Sequence, residues 1–259
     1  MAAAVASQAA VASQAAVAEQ PAFVFTEDNF RAPKLPANLK VVDVPLVEAT
    51  DAALEGFGYV LHSADERTVE KKNFEIVQWP AKGWRKCDPG CGDEAGTTEG
   101  RFEVRWEGDF FYGKNLAVAT TNNTYLDGLG ALPEVASADE ATCAGDGKAI
   151  LLWMSDYHGD GAQLFFPERR HPFVVCLGPA ACGDDVTPAD MRAFYVPAGK
   201  GVYFHPGTWH NGVYVAKDVI ARLGGDKATF LTRQGRVHSR FSASWAEEFG
   251  CVLRVPLTL

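Results

Sequence analysis

The sequence lacks several features that would assign it to a familiar class. Its 259 residues contain no uninterrupted apolar run of about eighteen, the length that a membrane-spanning helix needs. It has 24 basic against 33 acidic residues, a net charge of −9, which argues against binding to nucleic acid or to an anionic membrane. Six cysteines are too few for a disulfide scaffold and predict a reducing, cytoplasmic location. Dinucleotide, P-loop and nucleophile-elbow motifs are absent, so those enzyme classes have little support.

The amino end is a repeat of small residues. Residues 3–20 consist of three six-residue units, AAVASQ, AAVASQ and AAVAEQ, which offer no apolar face large enough to dock. The first basic residue is Arg31, so the segment resembles neither a secretory signal nor an arginine-rich transit peptide. We predict a disordered leader over residues 1–22 and a single domain over 23–259. A cryptic organellar targeting role for the leader stays open.

The rest of the chain reads as short strands separated by turns. A capping residue at Thr50 or Asp51 predicts a short helix over 52–55 that ends at Gly56, and Thr187-Pro188 predicts another over 188–191. Gln163–Phe166 and Phe173–Leu177 are expected to form a hairpin. Many short strands with few helices indicate an all-β fold, a barrel or double-sheet sandwich. The predicted strands begin near residues 39, 59, 74, 102, 150, 163, 173, 192, 201, 213, 229 and 251.

Two blocks of polar residues carry the chemical signal. His158 and Gln163 lie in SDYHGDGAQLFFP, and His205 and His210 lie in GKGVYFHPGTWHNG. Each block runs beside strand-like sequence, and loops held by rigid strands are a common way to build a site. We expect the two blocks to converge on one pocket. A lone histidine near a strand is more often structural, which is our interpretation of His62, His171 and His238.

These blocks resemble the ureidoglycolate lyase family, a branch of the cupin β-barrels. The resemblance rests on His158 with Gln163, a strand and proline at 165–167, Met191–Phe194, Gly199–Val202, and His205 through Trp209-His210; the segment 229–232 also resembles a near-terminal family strand. It is strongest over 156–232. Asn211 replaces a second histidine of the family pattern, 111–115 replaces its Arg-Phe-His-Asp stretch, and 233–236 lacks its acid–arginine pair.

The resemblance implies a cupin-like domain that cleaves ureidoglycolate to glyoxylate and urea in purine (allantoin) catabolism. It implies catalytic roles for His158, His205, His210 and Arg192, with Arg192 binding the substrate carboxylate through its guanidinium fork. His158, Gln163, His205 and His210 would ligate a divalent ion, nickel or another. It also implies a homodimer.

Other interpretations of the same residues stay open. The chain could be a metal-dependent cupin that oxidises or isomerises another small hydroxy acid or sugar, or a barrel that binds a ligand without turnover. Trp209 is better explained by packing than by substrate stacking, and Arg192 could lie along a strand edge with its charge in water. Glu168 is expected to face solvent, and the Phe165-Phe166 pair to belong to the core or to a dimer face.

Overall fold

The computed structural model describes residues 39–63, 65–66, 74–77, 83–86, 97–107, 110–117, 129–130, 148–225, 227–235 and 239–259. The predicted leader over 1–22 and His238 lie outside these residues. The single domain predicted over 23–259 therefore stays a prediction.

Within these ranges the chain is built mainly from strands. They are β1 (Lys40–Asp43), β2 (Leu46–Glu48), β3 (Gly58–Leu61), β4 (Thr97–Glu107), β5 (Phe110–Ala117), β6 (Leu129–Gly130), β7 (Ala149–Leu152), β8 (Met154–His158), β9 (Gln163–Pro167), β10 (Phe173–Leu177), β11 (Arg192–Val196), β12 (Gly201–Phe204), β13 (Lys227–Gly235), β14 (Arg240–Ser244) and β15 (Cys251–Pro256). Helices are short: α1 (Lys217–Arg222), α2 (Trp245–Phe249), and 3-10 helices at Ala180–Asp185 and Pro188–Asp190. No helix in the described ranges has the length and hydropathy to cross a membrane.

The strands are arranged in one large sheet and three small ones. The large sheet has seven strands in the order β3-β12-β9-β13-β4-β5-β6. The smaller sheets are β1-β15-β7, β10-β11-β2 and the pair β14-β8. Sheets that pack through apolar faces, with only short helices between them, confirm the all-β, cupin-like class predicted from the sequence.

Around β9 and β12 the large sheet is buried on both faces. In β9, Phe165 belongs to the main core, whereas Leu164 and Phe166 belong to a smaller cluster. In the neighbouring β12, Phe204 joins the main core and Tyr203 joins the smaller cluster. This follows from the two-residue period of a strand, which sends successive side chains to opposite faces. The same alternation decides where each polar residue of the two sequence blocks lies.

The predicted hairpin between residues 163–166 and 173–177 is wrong. β9 pairs with β12 and β13, while β10 pairs with β11 in a different sheet. Phe173 of β10 contacts Phe230 of β13 with ring centroids 4.9 Å apart, so these elements meet through side chains across the core. Both segments are buried along their whole length. Facing sheets bury that apolar surface on both sides, which an isolated hairpin would not.

The two predicted short helices have different outcomes. Residues 51–57 form a turn rather than a helix, although Thr50 Oγ1 accepts a hydrogen bond from the Ala53 N–H at 3.1 Å, as a cap would. Gly56, near the end of the turn, has φ 85°, a conformation that favours a residue without a β-carbon. The second helix is present as a 3-10 turn at Pro188–Asp190, and the Asp190 carboxylate accepts from the Thr187 N–H at 2.8 Å.

We expect Gly58→Ala to destabilise the fold by about 3 kcal/mol, because overpacking a filled position costs this order of free energy. A β-carbon at Gly58 would lie 1.7 Å from the carbonyl oxygen of Tyr203, which is backbone of the paired strand β12. Gly225→Ala is the control, because its β-carbon would meet nothing closer than a backbone nitrogen at 4.0 Å. Urea unfolding of both variants measures the difference, and equal midpoints would contradict the prediction.

Candidate active site

The register of β8 places two histidines side by side. In the antiparallel pair β8–β14, His158 lies opposite Arg240, and Asp156 lies opposite Ser242. On the other edge of β8, the Asp156 and His210 backbones exchange hydrogen bonds of 2.9 and 2.7 Å. Directly opposed residues project to the same face of a sheet. Asp156, His158, His210 and Arg240 therefore share the face of β8 that looks onto the large sheet.

Glutamines from the large sheet meet these histidines. Gln163 of β9 and Gln234 of β13 are directly opposed, and their side-chain amides lie 3.3 Å apart. The Gln163 amide lies 2.9 Å from Nε2 of His210. The imidazole centroids of His158 and His210 are 4.8 Å apart. We call His158, Gln163, His210 and Gln234 the imidazole cluster; all four are buried, with exposures between 2% and 5%.

Backbone carbonyls hold both imidazole rings. Nδ1 of His210 lies 2.7 Å from the Thr208 carbonyl oxygen, and Nδ1 of His158 lies 3.1 Å from the Ser239 carbonyl oxygen. A carbonyl oxygen only accepts, so each Nδ1 carries the proton and donates it. In the neutral ring the lone pair is then on Nε2. The fold thus presents two imidazoles in the tautomer that leaves Nε2 available as a base.

Burial keeps the cluster neutral. Desolvation, together with the charge of the neighbouring His158, lowers the pKa of His210 to about 4. Desolvation also lowers the pKa of His158, although the charge of Asp160 opposes this. As placed, the Gln163 Oε1 atom faces Nε2 of His210 at 2.9 Å, and the Gln163 NH₂ donates to Oε1 of Gln234 at 3.3 Å. A neutral His210 with its proton on Nδ1 has only a lone pair on Nε2, so this tautomer requires the Gln163 amide to be turned by 180°, with its NH₂ towards His210.

His205 belongs to a different group of side chains. Its Nδ1 lies 2.6 Å from Oε2 of Glu75, which also accepts from the Tyr203 hydroxyl at 3.0 Å, and the His205 side chain is 38% exposed. The ring is edge-on to Tyr59 and Tyr203. By strand alternation, His205 continues the Tyr203 face of β12, whereas Phe204 faces His210. The structure therefore brings together three of the four predicted metal ligands and leaves His205 outside.

Arg192 also lies away from the imidazole cluster. It begins β11, is exposed, and donates to the carbonyl oxygens of Ala189 and Met191 at 3.1 and 3.0 Å. Its opposite residue in the sheet is Leu177. This is the strand-edge placement that the sequence left open, and it puts no carboxylate-binding group beside the histidines.

The other residues singled out from the sequence lie in packing contacts or ion pairs outside the imidazole cluster. Trp209 is fully buried, and its indole N–H donates to the Gly183 carbonyl oxygen at 2.8 Å, which fits packing. His171 is buried and packs edge-on against Phe230. Glu168 pairs with Arg101 at 3.0 Å and is partly exposed. Phe165 and Phe166 both lie in buried clusters.

Sequence reasoning missed Asp156 and Arg240. Arg240 Nε lies 3.6 Å from Asp156 Oδ2, and both side chains are on the histidine face of β8. The signal was present in Arg240-Phe-Ser-Ala-Ser, in which apolar residues alternate with polar ones as in a half-buried strand. That strand was not predicted, and recognising it would not have been enough, because only the register shows that Arg240 opposes His158.

The described residues do not assemble the predicted four-ligand metal site. They contain no group of three or more His, Cys, Asp or Glu side chains placed to hold an ion. His205 is bonded to Glu75, and Gln163 lies between His210 and Gln234. Two imidazoles and one neutral amide are fewer and weaker donors than metal sites normally use. The divalent ion expected from the resemblance therefore has an incomplete ligand set among the described residues.

Comparisons with known proteins connect this geometry to a family. The family model described as ureidoglycolate lyase matches residues 114–223, a segment that contains His158, Gln163 and His210. A ureidoglycolate lyase of Stutzerimonas stutzeri (strain A1501) is 38% identical over 64 residues, which is 25% of this chain and 36% of the relative. One of Azotobacter vinelandii (strain DJ / ATCC BAA-1303) is 32% identical over 86 residues, 33% of this chain and 47% of the relative.

A third relative, the ureidoglycolate lyase of Pseudomonas paraeruginosa (strain DSM 24068 / PA7), is 38% identical over 64 residues, 25% of this chain and 37% of its own length. The chain thus spans between about a third and a half of the curated relatives it matches. The resemblance to the ureidoglycolate lyase family that the sequence motifs indicated is therefore confirmed.

Proposed function

We propose that this chain is a lyase that cleaves ureidoglycolate to glyoxylate and urea. The observation that carries the proposal is the imidazole cluster, because the segment matched by the ureidoglycolate lyase family model contains two buried histidines with Nε2 held as a base. The family match supports the substrate, and the geometry supports the proton chemistry. Purine catabolism, a homodimer and a cytoplasmic location follow from the resemblance or the composition and stay predictions.

The reaction needs a proton to move from oxygen to nitrogen. Ureidoglycolate carries a hydroxyl, a carboxylate and a ureido nitrogen on one carbon. When a base removes the hydroxyl proton, the oxygen forms a carbonyl and the carbon–nitrogen bond breaks, its electron pair going to the urea nitrogen. That nitrogen must then receive a proton. An imidazole can accept the first proton and supply the second, so the reaction needs no net acid or base.

His158 and His210 have the properties this transfer requires. Their lowered pKa values keep both rings unprotonated near neutral pH, and so able to accept a proton. Their carbonyl-bound Nδ1 atoms fix the rings, which leaves Nε2 as the position that gains and loses the proton. Burial excludes water that would compete for the hydroxyl proton or solvate the departing nitrogen. The Gln163 amide, beside His210 Nε2, can orient the ureido group.

We expect the purified protein to release glyoxylate from ureidoglycolate well above the spontaneous rate, and His210→Ala to lower kcat by at least about 100-fold. Losing a general acid–base group typically costs about 10²- to 10⁴-fold. A glyoxylate-coupled assay measures both rates. An inactive wild-type protein that still binds small hydroxy acids would instead support a binding barrel.

His205→Ala separates the two versions of the site. His205 contacts Glu75 rather than the imidazole cluster, so we expect its removal to change kcat by less than about tenfold. A loss as deep as that of His210→Ala would restore the four-residue site predicted from the sequence. Far-ultraviolet circular dichroism of both variants controls for misfolding.

Stability should fall as the pH drops from about 6.5 towards 4. The unfolded chain protonates His210 near the ordinary histidine value of about 6.5, whereas burial lowers the pKa of the folded state to about 4. The unfolded state therefore binds more protons in this window, and at about 1.4 kcal/mol for each pH unit of the difference His210 alone contributes a loss of about 3 kcal/mol. The pKa of His158 shifts in the same direction.

Urea unfolding at several pH values measures this loss of stability. Variants are needed because carboxylates also titrate between pH 6.5 and 4 and would change the stability of the wild type in the same range. His210→Gln should flatten the curve between pH 6.5 and 4, whatever its effect at pH 8. His62→Gln is the control, since that side chain is 55% exposed. Parallel curves for wild type and His210→Gln would contradict a buried, neutral His210.

Removal of metal should leave turnover intact. The described residues supply two imidazoles and one amide, which is too few ligands for a tightly held ion. We expect protein dialysed against a chelator, and shown by elemental analysis to be free of nickel, manganese, iron and zinc, to keep its kcat. Loss of activity that nickel or another divalent ion restores would instead support the ligand set expected from the resemblance.

A further inference from the structure

Arg240 is placed beside the imidazole cluster by strand pairing. It is directly opposite His158 in the antiparallel β8–β14 pair, so the two side chains leave the sheet on the same face. Its guanidinium is close enough for its positive charge to help lower the pKa of His158, although desolvation is the main cause of that shift. The Arg240 side chain is 28% exposed, so the guanidinium lies between the buried histidines and solvent.

Asp156 forms an ion pair with this arginine. Its carboxylate is 6% exposed and lies 3.6 Å from Arg240 Nε. Asp156 is two residues before His158, and its backbone also bridges to His210. Strand β8 therefore positions the Asp156 carboxylate and both imidazoles, and its pairing with β14 positions the Arg240 guanidinium. A guanidinium has five N–H donors in a planar fork, so it can divide them between the Asp156 carboxylate and a second anion.

Three other arginines with described side-chain contacts have different surroundings. Arg192 is exposed and donates to two carbonyl oxygens of its own turn. Arg85 is buried and bound by both oxygens of Glu248. Arg233 lies over the Phe74 ring, in the region of the smaller apolar cluster. Of these arginines, Arg240 alone directly opposes a member of the imidazole cluster across a strand pair.

We infer that Arg240 binds the carboxylate of the substrate and so selects small 2-hydroxy acids over their uncharged analogues. This inference deepens the proposed function, since it assigns a substrate group to a residue of the same site. A carboxylate on Arg240 would place the adjoining carbon, with its hydroxyl and ureido nitrogen, next to His158 and His210. The region matched by the family model ends at residue 223, so Arg240 lies outside it.

The test compares glycolate with glycolamide, in which an uncharged amide of similar size replaces the carboxylate. NMR titration, which measures millimolar dissociation constants, should show wild-type protein binding glycolate at least about tenfold more tightly. Charge-assisted hydrogen bonds to a carboxylate have this order of effect. Arg240→Gln should lose the preference. Arg240→Lys, which keeps the charge but not the fork, should fall between them.

Two further arginine variants give the controls. Arg222→Gln removes an exposed arginine of α1, paired with Asp218, and should leave glycolate affinity unchanged. If Arg192→Gln rather than Arg240→Gln loses the preference, the clamp predicted from the sequence is restored and the inference is overturned. It is also overturned if wild type does not prefer glycolate, or if Arg240→Gln and Arg240→Lys bind it as wild type does.

Kinetics separate this inference from the proposed function. In an active enzyme, Arg240→Gln should raise KM for ureidoglycolate by about tenfold or more, with a smaller effect on kcat than His210→Ala. If wild type does not cleave ureidoglycolate yet glycolate binding depends on Arg240, the lyase proposal fails and the carboxylate site stands. If cleavage is normal in Arg240→Gln, the carboxylate site fails and the lyase proposal stands.

Discussion

The candidate site depends on the hydrogen bonds from two imidazole Nδ1 atoms to the carbonyl oxygens of Thr208 and Ser239. Those bonds determine the tautomer, and the tautomer determines which nitrogen can act as a base. Without them, a buried pair of rings 4.8 Å apart could rotate, and neither the Gln163 amide nor a substrate would meet a defined lone pair. Burial adds the second condition, because desolvation favours the uncharged ring. Orientation and neutrality therefore come from the same packing of β8 against the large sheet.

Strand alternation explains why the side chains of the two sequence blocks do not form one site of four residues. His205 and His210 are five residues apart, yet one continues the Tyr203 face of β12 and the other follows a tight turn and bridges to β8. On the Tyr203 face of β12, the Glu75 carboxylate contacts His205 and accepts a hydrogen bond from the Tyr203 hydroxyl. On the inner side, Phe204 packs against His210. The sequence spacing therefore identified the histidines but did not predict that His205 and His210 would lie on opposite sides of β12.

Much of the fold was predictable from local pattern. The strands at Phe173–Leu177 and Arg192–Val196 follow from apolar runs bounded by turn residues. Pairing was not predictable in the same way: adjacency along the chain favoured a hairpin of β9 with β10, whereas burial of both faces required them in different sheets. The site shows the same division. His158, Gln163 and His210 were identified from spacing, but Arg240 required the β8–β14 register, which is a long-range contact.

Local packing connects residues 233–236 to Arg240 through Asp160 and Ser239. Residues 233–236 lack the family's acid–arginine pair, and a β-carbon at Gly235 would lie 2.0 Å from Asp160 Oδ2. A larger residue there would displace Asp160, whose carboxylate accepts from the Ser239 N–H and hydroxyl, each at 3.0 Å. Ser239 in turn holds Nδ1 of His158 and directly precedes Arg240. Gly235 therefore leaves room for the Asp160–Ser239 contact that orients His158 at the start of β14. Arg240 of β14 then places its guanidinium beside the imidazoles.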